Sequence, residues 1–130
     1  MSDAPVRGVV VAHSDLARAL IDAVERIAGS QEGVLFALSN EGIGPAEMGR
    51  RLDELAGEGP TVVFADLREG SCGLAGRRAC SGIGERVLVT GVNLPVLLDF
   101  AMNRHRPLAE LAERLMERGR AAITVVPGTD

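Results

Sequence analysis

The chain has 130 residues, of which 46% are hydrophobic and 25% charged, with a formal net charge of -4 at pH 7. That is apolar material enough for one core, so residues 1–130 are expected to form a single domain. The acidic balance and an aromatic content of 2% argue against nucleic acid as a partner, through both phosphate contacts and base stacking, and favour a protein with a basic docking face.

The elements alternate along the chain. Arg7–Ala12 is a β-branched apolar run that predicts a first strand. From Asp15 to Ala28 the apolar residues Leu16, Ala19, Leu20, Ala23, Val24 and Ile27 recur at helical spacing, and Gly29 ends the pattern. Gly33–Leu38 predicts a second strand. Pro45–Ala56 predicts a helix with proline in its first turn and Gly57 after its end. Thr61–Ala65 is a short apolar strand. Leu74–Ile83 predicts a weaker helix, because Gly76 and Gly82 oppose it. Arg86–Thr90 reads as a strand, Pro95–Asn103 and Leu108–Arg118 as helices, and Ala121–Val126 as a last strand. The implied fold class is α/β: three layers, a mostly parallel central sheet with helices on both faces, and the last strand at an edge where it can be exchanged between subunits.

Processing and redox signals are few. MSDAPVRG has no apolar stretch of the secretory kind, and no apolar run approaches the roughly 20 residues that span a bilayer. Cys72 and Cys80 fall in one predicted helical stretch, lack CxxC spacing and read as free thiols. Together these predict a cytoplasmic protein. His13 and His105 are the only histidines; no metal-ligand set is expected from the spacing, and no cofactor motif is present. There is no phosphate loop, Gly70, Gly73 and Gly76 miss the dinucleotide fingerprint, and a hydrolase elbow would need glycine in place of Glu69.

In an open α/β sheet, ligands bind beyond the carboxyl ends of the strands. Those ends carry His13-Ser14-Asp15, Ser39-Asn40-Glu41-Gly42, Asp66 through Ser71, and Gly91-Val92-Asn93. One rim would thus collect an imidazole, a carboxylate, a hydroxyl and an amide. Each has an ordinary structural reading: His13 as a strand-end residue, Asp66 as a turn cap, Ser71 as a helix N-cap, Asn93 as a turn residue. The chemical reading is that Asp66 fixes the tautomer of His13 and leaves the other ring nitrogen as a nucleophile. Gly70-Ser71-Cys72-Gly73 would then offer backbone N–H groups and a hydroxyl to an anion. If Pro95 opens its helix, Leu94 takes the cap position and the Asn93 amide is free to tie loops or reach the rim.

Val9-Val10-Val11-Ala12-His13, Phe64-Ala65-Asp66 with Gly70-Ser71, and Gly91-Val92-Asn93-Leu94-Pro95-Val96-Leu97 carry a resemblance over nearly the whole chain. The sequence resembles the mannose-family enzyme IIA domain of the bacterial phosphoenolpyruvate-dependent sugar phosphotransferase system. The resemblance implies a phosphotransferase whose His13 is phosphorylated by the phosphocarrier protein HPr and passes the group to a IIB domain or protein for sugar uptake. It places the imidazole-binding aspartate at Asp66 and the phosphoryl-binding serine at Ser71; the strand ends themselves add Gly70, Cys72 and Gly73 around the anion, with Asn93 and Ser14 in support. It also implies a homodimer that exchanges a C-terminal strand, and contact with the membrane only through the permease. Three positions depart from the transporter pattern: Leu67 replaces a hydroxyl residue, Glu69-Gly70 replaces a double glycine, and Cys72 replaces proline. The chain ends at Asp130 with no IIB segment. A stand-alone regulatory component, or the phosphotransfer subunit of dihydroxyacetone kinase, is the alternative; a serine hydrolase using Ser71, His13 and Asp66 is a rival of another class.

Overall fold

A computed structural model describes residues 4–129. Four strands form one parallel sheet: β1 (Arg7–Ala12), β2 (Leu35–Ser39), β3 (Thr61–Ala65) and β4 (Arg86–Thr90), in the order β2-β1-β3-β4. Five helices cover it: α1 (Leu16–Ala28), α2 (Pro45–Ala56), α3 (Gly70–Cys80), α4 (Leu94–Met102) and α5 (Leu108–Ala121). The three-layer α/β expectation holds, and the sheet is parallel throughout.

Alternation along the central strands divides the core. Val10, Ala12, Val62 and Phe64 face one side and pack with Ile21, Leu97, Phe100, Leu111 and Leu115 of α1, α4 and α5. Val9, Val11, Val63 and Ala65 face the other side, with Met48, Leu52, Cys72 and Ala75 of α2 and α3. Strands buried on both faces must read as continuous apolar runs, which is why β1 and β3 lack polar alternation. Phe64 and Phe100 meet edge to face, with centroids 5.3 Å apart.

The strand order fixes where a site can form. β1 leads to α1 on one face, while its neighbour β3 leads to α3 on the other. The chain therefore parts between the carboxyl ends of β1 and β3, opening a crevice at the switch point of the sheet. Val11 pairs with Ala65 in the last rung of that ladder, so His13 and Asp66 emerge side by side.

Two expectations need correction. The third helix begins at Gly70, four residues before Leu74, so Ser71 belongs to its first turn and not to a preceding loop. The last strand does not form: α5 continues to Ala121, and residues 122–129 are irregular. Its β-branched residues have strand propensity but no ladder within one chain; Ile123, Val125 and Val126 are 79%, 91% and 84% exposed.

Candidate active site

β1 carries its buried run to Ala12 and then releases His13, whose side chain is 42% exposed, while that of Asp66 is 10% exposed. The His13 backbone N–H donates to Oδ2 of Asp66 at 3.0 Å, and Nδ1 of the ring lies 2.8 Å from the same oxygen. The Leu67 N–H donates to Oδ1 at 3.0 Å. Burial alone would push the Asp66 carboxyl up; the hydrogen bonds and charge from His13, with the Leu67 N–H, outweigh it and hold the carboxyl below its ordinary range. An ionised carboxylate only accepts, so Nδ1 carries the proton and Nε2 holds the free lone pair. The resemblance pairs these two residues, and the fold brings them together.

The third side of the crevice is the start of α3. Glu69 occupies the N-cap position without a side-chain bond to the helix, which leaves the first-turn N–H groups of Gly70, Ser71 and Cys72 without a cap. Gly70 has φ +86°, a conformation that suits glycine, and a Cβ there would lie 3.8 Å from Cε1 of His13. The ring therefore stands over the first residue of the helix. Gly73 does something else. A Cβ on it would fall 2.2 Å from the Arg68 carbonyl oxygen and 2.7 Å from that of Leu67, so it is the missing side chain that lets α3 sit against the loop after Asp66.

Asn40, one residue past β2, lies on the rim that the strand ends predict and takes a role there that its sequence position does not assign. Its Oδ1 accepts from the Ser14 N–H at 3.4 Å, and its Nδ2 donates to Oγ of Ser71 at 3.3 Å. One amide thus joins the tip of β1 to the start of α3. Ser14 reaches it from φ +52°, an unusual value for a residue with a side chain. The signal that could have found Asn40 is its place two residues past the register partner of Val11.

Asn93 has no part in this. It is the N-cap of α4: Oδ1 accepts from the Val96 N–H at 3.1 Å, and Nδ2 donates to the Gly119 carbonyl of α5 at 3.2 Å. The helix starts one residue before Pro95, so the cap falls on Asn93 and not on Leu94. Both ends of the amide are used in fastening α4 to α5, which explains the Gly91-Val92-Asn93-Leu94-Pro95 stretch structurally.

Cys72 is buried in the first turn of α3. Burial pushes its thiol up, the Asp66 charge adds to this, and the Ser71 hydroxyl offsets part of it. A His13 ring nitrogen, an Asp66 carboxylate oxygen and the Cys72 sulfur all lie within 4.8 Å of one another. Spacing along the chain predicted no such set, because its members come from two strand ends and a helix start. Cys80 is free and half-buried, away from the set.

Among the described residues no helix is long and apolar enough to cross a membrane. No protein-family model matches the chain, and no curated protein matches it. Solved structures do match. The mannose/sorbose specific IIA subunit of the phosphotransferase system from Enterococcus faecalis has a TM-score of 0.84 at 22% identity, covering 98% of each chain. The phosphotransferase system component EIIA from Streptococcus agalactiae has a TM-score of 0.84 at 18% identity, over 92% of this chain and 96% of that one. A sigma-54 interaction domain protein from Enterococcus faecalis has a TM-score of 0.73 at 16% identity, over 93% of this chain and 95% of that one. The chain therefore has the fold of these proteins, two of them IIA components of the phosphotransferase system, the fold that its own residues and their resemblance predicted.

Proposed function

We propose that the protein is a phosphohistidine relay, one phosphotransfer domain in which His13 accepts a phosphoryl group from a phosphocarrier of the HPr kind and passes it to a IIB component. The observation that carries this reading is the division of the imidazole: Nδ1 is held by Asp66, and Nε2 is open on a half-exposed ring beside the start of α3. The Nε2 lone pair attacks phosphorus in line as the bond to the donor's nitrogen breaks. The Nδ1 proton stays where it is, and the Asp66 carboxylate stabilises the cationic phosphoimidazole. The N–H groups of Gly70, Ser71 and Cys72 and the Ser71 hydroxyl are in place to offset charge on the phosphoryl oxygens. Asn40 donates to Oγ of Ser71 and so fixes that hydroxyl at the rim.

A protein donor and a protein acceptor need an open, partly apolar rim, and the crevice has one. Leu16 follows His13 at the start of α1, Leu67 follows Asp66, and Leu74 lies one turn into α3; they are 42%, 55% and 45% exposed. Leu67, the departure from the hydroxyl pattern, therefore extends the docking rim in place of a phosphoryl contact. The IIA proteins of like fold support the same reading. The serine-hydrolase rival loses its geometry, since Oγ of Ser71 is bonded to Asn40 and not to His13.

The test is phosphorylation of the full chain by the phosphorylated carrier. The label on the wild type is acid-labile and alkali-stable, and His13→Ala takes none. Normal labelling of that variant overturns the assignment. For the homodimer, we propose that residues 122–126 of a second copy pair with β4, an edge strand that among the described residues has no neighbour on its outer side. Truncation after Ala122 then turns a sedimenting dimer into a monomer; a full chain that sediments as a monomer, or a truncated one that stays dimeric, removes this part.

A further inference from the structure

We propose that His13, Asp66 and Cys72 form a site for Zn²⁺, or another divalent ion of similar softness, that holds the crevice in an off state. The three donors lie within 4.8 Å of one another, and they supply one nitrogen, one oxygen and one sulfur. A thiolate in the set selects against Mg²⁺ and Ca²⁺, which take oxygen ligands, and the mix of imidazole, carboxylate and thiolate suits zinc. Three protein ligands with one open position, filled by water, is an ordinary arrangement for that ion.

The fit follows from the hydrogen bond already present. Oδ2 of Asp66 accepts both the His13 backbone N–H and the Nδ1 proton. If the ion takes the place of that Nδ1 proton, it binds Nδ1 and frees the second lone pair of Oδ2 for itself; the proton moves to Nε2, which completes the other neutral tautomer. The sulfur of Cys72 is the third ligand, and its proton leaves to solvent. With bonds to zinc of about 2.1 Å from N and O and about 2.3 Å from S, donors need to stand roughly 3.3–3.7 Å apart. The 2.8 Å between Nδ1 and Oδ2 must therefore widen by about half an ångström, which a half-exposed ring can do by a small rotation, and the sulfur must close in by about an ångström at most. The backbone N–H groups of His13 and Leu67 continue to fix the carboxylate, as partners that orient a ligand do elsewhere.

The site also accounts for Cys72, which the relay does not use as a thiol. A neutral thiol beside an ionised carboxylate adds nothing to phosphoryl transfer, whereas as a thiolate it completes a three-donor set with His13 and Asp66. Binding does not rest on the phosphotransfer reading. The off state does, because a metal-bound ring with its proton on Nε2 has no lone pair to offer phosphorus.

The experiment uses the full, unphosphorylated chain and reads the metal itself. Cobalt(II) added as a stand-in for zinc gives a near-ultraviolet thiolate-to-metal charge-transfer band that titrates to one ion per chain and is displaced by zinc. Cys72→Ser, nearly isosteric, loses the band and weakens zinc binding at least tenfold in competition with a chromophoric chelator. His13→Gln, at a half-exposed position, weakens it as much. Cys80→Ser and His105→Gln leave both readouts unchanged. The absence of a thiolate band at saturating cobalt overturns the proposal. So does a band that survives in Cys72→Ser or disappears in Cys80→Ser, and so does zinc binding indifferent to His13→Gln. None of these outcomes bears on the phosphorylation test.

Discussion

Two helix starts in this molecule meet the same problem in opposite ways. Both α3 and α4 follow an edge of the crevice-side loops, and both begin with backbone N–H groups that no earlier turn can satisfy. At α4 the chain supplies its own answer: Asn93 caps the helix with Oδ1 and anchors α5 with Nδ2. At α3 the residue in the cap position is Glu69, whose side chain makes no bond to the helix, and the His13 ring stands against the first helical residue, Gly70. A satisfied helix start stabilises the fold; an unsatisfied one beside a nucleophile is free to bind. The contrast between the two turns is what distinguishes architecture from site, and it reverses the ordinary expectation that the Ser71 turn is capped and the Asn93 turn is open.

The comparison breaks most severely at Gly73. An added methyl would sit 2.2 Å from the Arg68 carbonyl, a backbone atom that the Arg77 guanidinium also holds at 2.8 Å, so neither partner yields easily. Gly73→Ala should destabilise the protein by about 2–3 kcal/mol, in the range of overpacked cores, and shift the start of α3 away from His13. Chemical denaturation checks the first, and labelling of His13 checks the second. A variant as stable as the wild type would mean that α3 does not need its close approach.

The two asparagines sharpen the same contrast from both sides. Asn93→Ala removes a cap and a tie to α5, and should cost about 1–2 kcal/mol while leaving the rate of His13 phosphorylation unchanged. Asn40→Ala, at the other helix, should leave stability within about 0.5 kcal/mol and slow phosphorylation roughly tenfold, equivalent to about 1.4 kcal/mol in the barrier. Denaturation midpoints and single-turnover labelling on the same two variants decide it. Matching losses in both readouts from either variant would erase the distinction.

Much of this was legible in the residues and some was not, for physical reasons. β1 and β3 show plainly because strands covered on both faces must be continuous runs of apolar residues, and His13 and Asp66 stand just past their ends, side by side. The start of α3 was hidden by Gly70 and Gly73, which oppose a helix by propensity and are there for close approach to the ring and the loop. Ala121–Val126 reads as a strand because its side chains suit one, but a strand needs a neighbour, and within the single chain this segment lies against none. Asn40 and the grouping around Cys72 depend on where loops close in space, and no spacing rule encodes that.

The mildest test of the contrast uses acid. The Asp66 carboxyl ionises more readily in the folded chain than the ordinary value of 3.8, through its bonds to His13 and Leu67. A folded value below the unfolded one means that the unfolded chain binds the extra proton as pH falls between them. The carboxylate's contribution is therefore complete above about pH 4–5 and drains away as pH drops below 3.8 through the folded value. Asp66→Asn has no such proton to bind, so the gap in stability between wild type and variant should narrow on going from pH 5 to pH 2.5. The gap between wild type and Asn93→Ala should stay level over the same range, because an amide cap does not titrate there. Denaturant midpoints at a series of pH values measure both gaps. If the Asp66 gap stays level or widens in acid, the carboxylate is not held by its hydrogen bonds, and the site at α3 is no more electrostatic than the cap at α4.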